Sequence, residues 1–268
     1  LPSPYRNPFF EKFYKDKEYE SVVYFMAKGA KNRVWKNGKL NFEHKFLPEM
    51  TFNLKEKDDI FPIWNNPTVP IEIIKGDFDI VICSGWDSLA TFLARITCWV
   101  KGIPMIIWAG STANEKSWRR TLMHWPVKLL VNSCDALVSY GKASRDYLVS
   151  LGPKEEKVFI SYNSVDIDYF HKIAKKNLSL KNKLRKKMDI KNKYLLLFVG
   201  QFISRKGVLD LYEATRNLGK KLDIGILWVG HGPLKKKIIE LSKKDKLKNQ
   251  YFKTTYSKEE TAEMYSIA

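Results

Sequence analysis

The sequence predicts an α/β protein built on parallel sheets in two units, and three observations carry that reading. Short apolar runs alternate with amphipathic helical stretches along most of the chain, the pattern of strands joined by crossover helices. The length of 268 residues suits two domains on a prior of about 150 residues each. The clearest unit starts at Tyr194. Leu195 to Val199 is an unbroken apolar run, as in a strand buried on both faces of a parallel sheet. Gly200 ends it, a polar loop runs from Gln201 to Lys206, and Gly207 opens a helix with Val208, Leu211, Tyr212 and Thr215 at helical spacing. Gly219 is the expected stop of that helix. Ile224 to Val229 is the next strand, followed by the turn Gly230-His231-Gly232-Pro233 and a second helix.

The remaining elements follow in order. Asn7 is placed to cap a helix with Pro8 in its first turn and Phe9, Phe10, Phe13 and Tyr14 on its apolar face. Ser21 to Met26 reads as a strand. Lys31 to Asp59 reads as irregular, with one short strand at His44 to Leu47. Pro67 to Lys75 reads as a helix ended by Gly76. Asp79 to Cys83 reads as a buried strand running into Ser84-Gly85-Trp86. Asp87 to Lys101 is a helix with Leu89, Phe92, Leu93, Ile96 and Val100 on one side, stopped by Gly102. Ile103 to Trp108, Asp135 to Ser139 and Val158 to Ser161 are further strands, the first ending at Ala109-Gly110-Ser111. Glu115 to Ser133 is helical with Trp118, Leu122, Trp125 and Leu129 in register, divided by Pro126. That stretch reads as a packed helix with a solvated basic side. The alternative is a helix lying on an anionic membrane. His124 reads as structural. Lys172 to Lys193 is a dense basic run with a thin stripe of Leu180, Leu184 and Met188, read as a linker plus a surface helix. Pro233 opens a helix with Leu234, Ile238 and Leu241 inward, Gln250 to Phe252 is a short strand, and Ser257 to Glu260 is a capping box. The domains are expected at 1–171 and 194–268, with 172–193 between them.

Composition narrows the function classes. The formal net charge is +18, which favours an anionic partner: nucleic acid, an anionic membrane or a phosphorylated substrate. Cys83, Cys98 and Cys134 are widely spaced and have no metal pattern, so free thiols in a reducing compartment are expected. No apolar run approaches the roughly 18 residues of a membrane span.

Ligands of open α/β sheets bind beyond the carboxyl ends of the strands. Arg205 and Lys206 sit at such an end, beside a helix N-terminus. Cations together with free backbone N–H groups make a phosphate cradle. The competing reading is a pair of solvated loop cations.

The motifs Phe198-Val199-Gly200, Arg205-Lys206-Gly207 and Val229-Gly230-His231-Gly232-Pro233 resemble the C-terminal domain of family 4 glycosyltransferases. Asn163-Ser164-Val165-Asp166 with Phe170 resembles the segment ending that family's first domain. Pro2-Ser3-Pro4-Tyr5-Arg6-Asn7-Pro8 resembles an opening found in one branch of it. The resemblance implies the GT-B fold: two Rossmann-like domains facing across a cleft. It implies that the second domain is incomplete here and that a first strand precedes Leu1. It also implies transfer of a sugar from a nucleotide-sugar to a hydroxyl acceptor with retention, without metal or cofactor, in surface polysaccharide or glycolipid synthesis. The implied partners are the nucleotide-sugar donor, a glycan or lipid-linked acceptor and an anionic membrane surface, with no nucleic acid. The implied location is the cytoplasm, peripheral on the inner face of the membrane.

The resemblance also assigns residues. Lys206, then Arg205, would stabilise the departing diphosphate, where charge develops in the transition state. Gly200, Gln201, Gly230 and Gly232 would bind the donor. Ser3, Tyr5, Arg6, Ser84, Gly110 and Ser111 would line the cleft on the acceptor side. The chain departs from the family at two points. Gln201 stands where an arginine is usual, and the loop at Ala109-Gly110-Ser111 lacks the usual histidine. The acidic donor-binding pair of the family lies beyond Ala268. Two other readings compete: a different enzyme on the same scaffold, such as a nucleotide-sugar epimerase, and a nucleic-acid-binding protein suggested by the charge. The second lacks a recognised binding motif.

Overall fold

The structure is a computed structural model and describes residues 1–30, 33–56, 58–115, 117–218 and 222–268. It is α/β with parallel sheets, as expected. The first half contains α1 (Asn7–Tyr14), β1 (Val23–Phe25), β2 (His44–Phe46), β3 (Met50–Glu56), β4 (Asp59–Asn65), α2 (Val69–Lys75) and β5 (Val81–Ser84). It continues with α3 (Leu89–Lys101), β6 (Met105–Ala109), α4 (Trp118–Leu122), α5 (His124–Ser133), β7 (Ala136–Ser139), α6 (Lys142–Ser150) and β8 (Val158–Ile160). Strands β5, β6, β7 and β8 form a parallel sheet in that order, β1 pairs with β2 in parallel, and β3 with β4 as an antiparallel hairpin. Three consecutive crossovers of one hand place α3, α5 and α6 on the same face of the four-stranded sheet. The core lies between them: Cys98, Met105, Ile107, Val131, Leu137 and Leu148 are buried there. Cys83, Cys98 and Cys134 are free, and burial pushes the Cys83 and Cys134 thiols up to about 12.

The second half contains α7 (Ile167–Asn177), α8 (Lys181–Lys187), β9 (Tyr194–Val199), α9 (Val208–Leu218), β10 (Ile224–Val229), α10 (Leu234–Lys244), β11 (Gln250–Lys253) and α11 (Lys258–Ile267). Its parallel sheet has the order β11-β10-β9. The alternation of β10 builds two cores. Ile226 and Trp228 face α9 and α10 with Val208, Tyr212 and Ile238. Leu227 and Val229 face Ile190, Met264 and Ile267, with Leu184 and Met188 packed alongside. Of the basic segment, Leu184 and Met188 thus join this second core. Ser257 Oγ accepts the Glu260 N–H at 3.1 Å, and Glu260 reaches back to the Tyr256 N–H at 2.6 Å, so the capping box closes one residue earlier than its usual form.

Several expectations are corrected. The β9 run is only half buried, because β9 is an edge strand and β10 takes the centre. The β5 run is likewise half exposed, as an edge. Asn7 lies inside α1, with Arg6 at the cap position. Within the segment expected to be irregular, β3 pairs with β4 in a hairpin. The expected stop at Gly219 lies outside the described residues. The long helix breaks at Met123, three residues before Pro126. Proline has no N–H for the carbonyl four residues back, so the helix restarts just ahead of it.

The largest corrections concern two helix faces. In α3 the buried residues are Ala90, Thr91, Ala94, Thr97 and Cys98, while Leu89, Ile96 and Val100 are exposed. The small residues let α3 approach the sheet closely, so Leu89, Ile96 and Val100 turn outward while Phe92 still packs against the core. In α4 and α5 the expected packed stripe of Trp118, Leu122, Trp125 and Leu129 is also exposed; Val127, Leu130 and Val131 face the core instead. His124 is exposed, its ring at the edge of Trp125.

Candidate functional site

Two clusters form at carboxyl ends of strands. In the second half, β9 runs into Gly200 and a one-turn 3-10 helix, Ser204–Lys206, before α9 begins at Val208. The turn after β10 lies directly against this loop. Gly200 N–H donates to Val229 O at 3.0 Å, Phe202 N–H to His231 O at 2.7 Å and Leu234 N–H to Phe202 O at 3.0 Å. A Cβ on Gly230, where φ is +147°, would lie 1.9 Å from Gly200 O, and one on Gly232, at φ +143°, 2.7 Å from Phe202 backbone atoms. These glycines therefore let the two predicted donor loops pack on each other. Lys235 fastens the turn from below, donating to Gly230 O at 3.2 Å and Thr254 Oγ1 at 2.7 Å, and burial lowers its pKa. Gln201 is buried in the same loop.

Lys206 and Arg205 differ sharply. The Lys206 side chain is exposed and has no partner among the described residues. Arg205 is engaged by the tip of the β3–β4 hairpin: Nε and Nη2 donate to Asp59 Oδ2 at 3.2 and 2.9 Å. Next to it, Ser204 N–H and Oγ donate to Asp58 Oδ2 at 2.7 and 3.0 Å.

The other cluster gathers the N-terminal residues at the ends of β5, β6 and β7. Arg6 Nη2 donates to Tyr140 Oη at 2.5 Å and Nη1 to Ser84 Oγ at 3.5 Å, and its guanidinium lies 5.2 Å from the Trp108 ring centre. The Tyr140 ring rests against Gly110, where a Cβ would lie 2.2 Å from it. Ser3 is buried and its N–H donates to Asn7 Oδ1 at 3.3 Å, while its Oγ has no partner. Tyr5 packs edge-on to Trp35. Ser111 follows Gly110 and is half buried. Arg6, Ser84 and Gly110 thus converge, with Tyr140 and Trp108 as members that sequence reasoning missed. Position at a strand end was the available signal for both.

The halves meet where Lys36 N–H donates to Tyr256 O at 2.8 Å. Within the second half α7 is tied to α11, Lys258 Nζ donating to Asp166 Oδ2 at 2.9 Å and Tyr169 Oη to Glu259 Oε1 at 2.9 Å.

Comparison with known proteins follows the same division. The model described as Glycosyltransferase Family 4 matches residues 22–169, more than half of the chain, and the model described as Glycosyl transferases group 1 matches residues 181–268. No curated protein sequence matches. Among solved structures, Anabaena Alr3699/HepE in complex with UDP is similar at 15% identity and a TM-score of 0.59, over 75% of this chain and 55% of that one. A glycosyltransferase from Rickettsia africae ESF-5 is similar at 18% identity and a TM-score of 0.58, over 85% of this chain and 58% of that one. The chain spans little more than half the length of these structures, and at such identity the likeness establishes the fold, GT-B. Over the greater part of its length, then, the chain belongs to Glycosyltransferase Family 4.

Proposed function

We propose that this chain forms the cleft of a retaining glycosyltransferase that moves a sugar from a nucleoside-diphosphate sugar to a hydroxyl acceptor. The observation that carries the reading is Lys206, an exposed cation with no partner among the described residues, at the carboxyl end of β9 just ahead of α9. A cation there offsets charge developing on the departing diphosphate, and the N–H groups at the start of α9 add to it. No step is assigned to a metal or cofactor. Gly200, Gln201, Gly230 and Gly232 form the donor loops. The Arg6–Ser84–Tyr140 cluster, with Ser3, Tyr5, Gly110 and Ser111, faces the acceptor. A solved neighbour bound to UDP-glucose, at a TM-score of 0.53, supports a nucleotide-sugar as the class of donor.

The acceptor we favour is a glycan or lipid-linked hydroxyl at an anionic membrane surface on the cytoplasmic side, in surface polysaccharide or glycolipid synthesis. The outward face of α3, α4 and α5 supports this. Trp99, Trp118 and Trp125 are 72%, 67% and 68% exposed there, near Arg95, Arg119 and Lys128. No helix among the described residues is long and apolar enough to cross a membrane, so attachment would be peripheral.

The test is UDP binding by calorimetry. Replacing Lys206 with Ala is expected to weaken binding at least about tenfold, the loss of one charge-assisted phosphate contact. Equal affinity in Lys206→Ala and the native chain would remove Lys206 from the donor site.

A further inference from the structure

The β3–β4 hairpin ends in adjacent carboxylates, Asp58 and Asp59, in a chain whose net charge is +18. Both engage the loop that precedes Lys206. A single oxygen of Asp58 takes the Ser204 N–H and Oγ, and a single oxygen of Asp59 takes two guanidinium N–H groups of Arg205. The other Asp59 oxygen accepts the Ile60 N–H at 2.9 Å, which orients the carboxylate on its own strand. The guanidinium of Arg205 also lies 5.8 Å from the Phe61 ring centre, one strand position beyond Ile60. Ser204 and Arg205 stand 146 residues from the carboxylates in the chain. The contact is therefore a product of the fold and not of local geometry.

Four donors converging on two anionic oxygens is the arrangement that also holds phosphate oxygens. We propose that Ser204 and Arg205 are part of the diphosphate-binding site and that the hairpin tip is a built-in competitor, a latch occupying those donors until a nucleoside diphosphate displaces it. The proposal rests on the reading of the Arg205–Lys206 loop as the phosphate cradle, and adds Ser204 and a self-regulating segment to it. The Arg205 side chain is 53% exposed while that of Asp59 is 8% exposed. The contact therefore opens from the Arg205 side, where water screens the guanidinium and a ligand can reach it. The diphosphate of a nucleotide-sugar matches the charge of the two carboxylates and would reach Lys206 as well, and that added contact decides the exchange. The latch then sets a threshold: the donor's apparent affinity falls by the fraction of time the site is open. It also ties the first half of the chain to the donor loop only while that loop is empty, so donor binding frees the hairpin from the cleft.

The test uses the full chain and inorganic pyrophosphate as probe, measured by calorimetry. Asp58→Asn and Asp59→Asn keep the shape and remove the charge. For a latch closed about nine-tenths of the time, the doubly substituted chain binds pyrophosphate about tenfold more tightly than the native chain. A second pair of substitutions, Asp58→Cys with Ser204→Cys, allows the tip to be locked by oxidation. Pyrophosphate binding is expected to vanish in the oxidised form and return on reduction, which also shows that the variant folds. Unchanged affinity in the Asn variants, with binding that still depends on Lys206, would overturn the latch and leave the donor site standing. Weaker binding in the Asn variants would make Asp59 a positioning residue for Arg205 and also overturn the latch. No binding by any form would remove both the latch and the cradle.

Discussion

At the scale of single residues, the site depends on where a side chain is missing. The close contact between the loop after β9 and the turn after β10 leaves no room for a Cβ on Gly230, 1.9 Å from Gly200 O. Its φ of +147° is also a conformation that other residues rarely adopt. Gly230→Ala is expected to cost on the order of 1–3 kcal/mol from backbone strain alone, seen as a fall in melting temperature of at least about 2 °C. Gly38→Ala is the control, since nothing lies within 4 Å of a Cβ there. Equal melting of the two variants would show that the loops do not meet as described. The motif Gly230-His231-Gly232-Pro233 was legible as a turn from its residue types. That its glycines serve the neighbouring loop was not, because their partners, Gly200 and Phe202, lie in a loop that only the folded sheet brings alongside. The same holds for Arg205. Its cationic character was plain, but its engagement by Asp59 needs a hairpin 146 residues away.

At the scale of elements, periodicity located the strands and helices but misjudged which face of a helix turns inward. Both stripes of α3 are apolar enough to be a core face: Leu89, Phe92, Leu93, Ile96 and Val100 on one side, Ala90, Ala94, Thr97 and Cys98 on the other. Area alone favours burying the larger stripe. The smaller stripe permits close approach of helix to sheet, and that packing prevails. The hairpin of β3 and β4 was missed for related reasons. Met50, Phe52 and Leu54 alternate as a strand should, but all three are exposed. Pro62 in β4 argues against a strand in the interior of a sheet, although a two-stranded ribbon tolerates it. The outward faces of α3 and α5 lead to a prediction. Arg95 Nε donates to Ser133 Oγ at 3.0 Å, which ties the two helices side by side, so Trp99 and Trp125 belong to one surface. The chain should sediment with vesicles containing anionic lipid and not with purely zwitterionic ones. Trp99→Ser with Trp125→Ser should lower that partition about a hundredfold, roughly tenfold for each anchor. Sedimentation that ignores lipid charge, or survives both substitutions, would dismiss this surface as a membrane contact.

At the scale of the whole molecule, polar contacts both link the two halves and brace the second half internally, and these respond differently to conditions. Between the halves, the proposed latch of Asp58 and Asp59 competes with phosphate. Within the second half Lys258 fastens the start of α7 to the start of α11 through Asp166, beneath the rings of Tyr169 and Phe170. Asp166 also accepts the Tyr169 N–H as the cap of α7. The bond from Lys258, followed by the Tyr169 N–H, holds the Asp166 carboxyl below the ordinary aspartate value. A carboxyl lowered in the folded state adds stability above its unfolded pKa, and that stability drains away as pH falls through the lower, native one. Because the pair is partly exposed, its contribution is about 0.2–1 kcal/mol. Asp166→Asn should therefore lower the unfolding midpoint in urea at pH 7, by an amount that shrinks as pH falls through the lowered native value. An unchanged midpoint at pH 7 would mean that Asp166 acts only as a neutral cap, through a hydrogen bond that asparagine also makes. In that case the ion pair would add nothing to the hold of α7 on α11, which the Tyr169–Glu259 hydrogen bond and the packing of Phe170 on Tyr265 would supply.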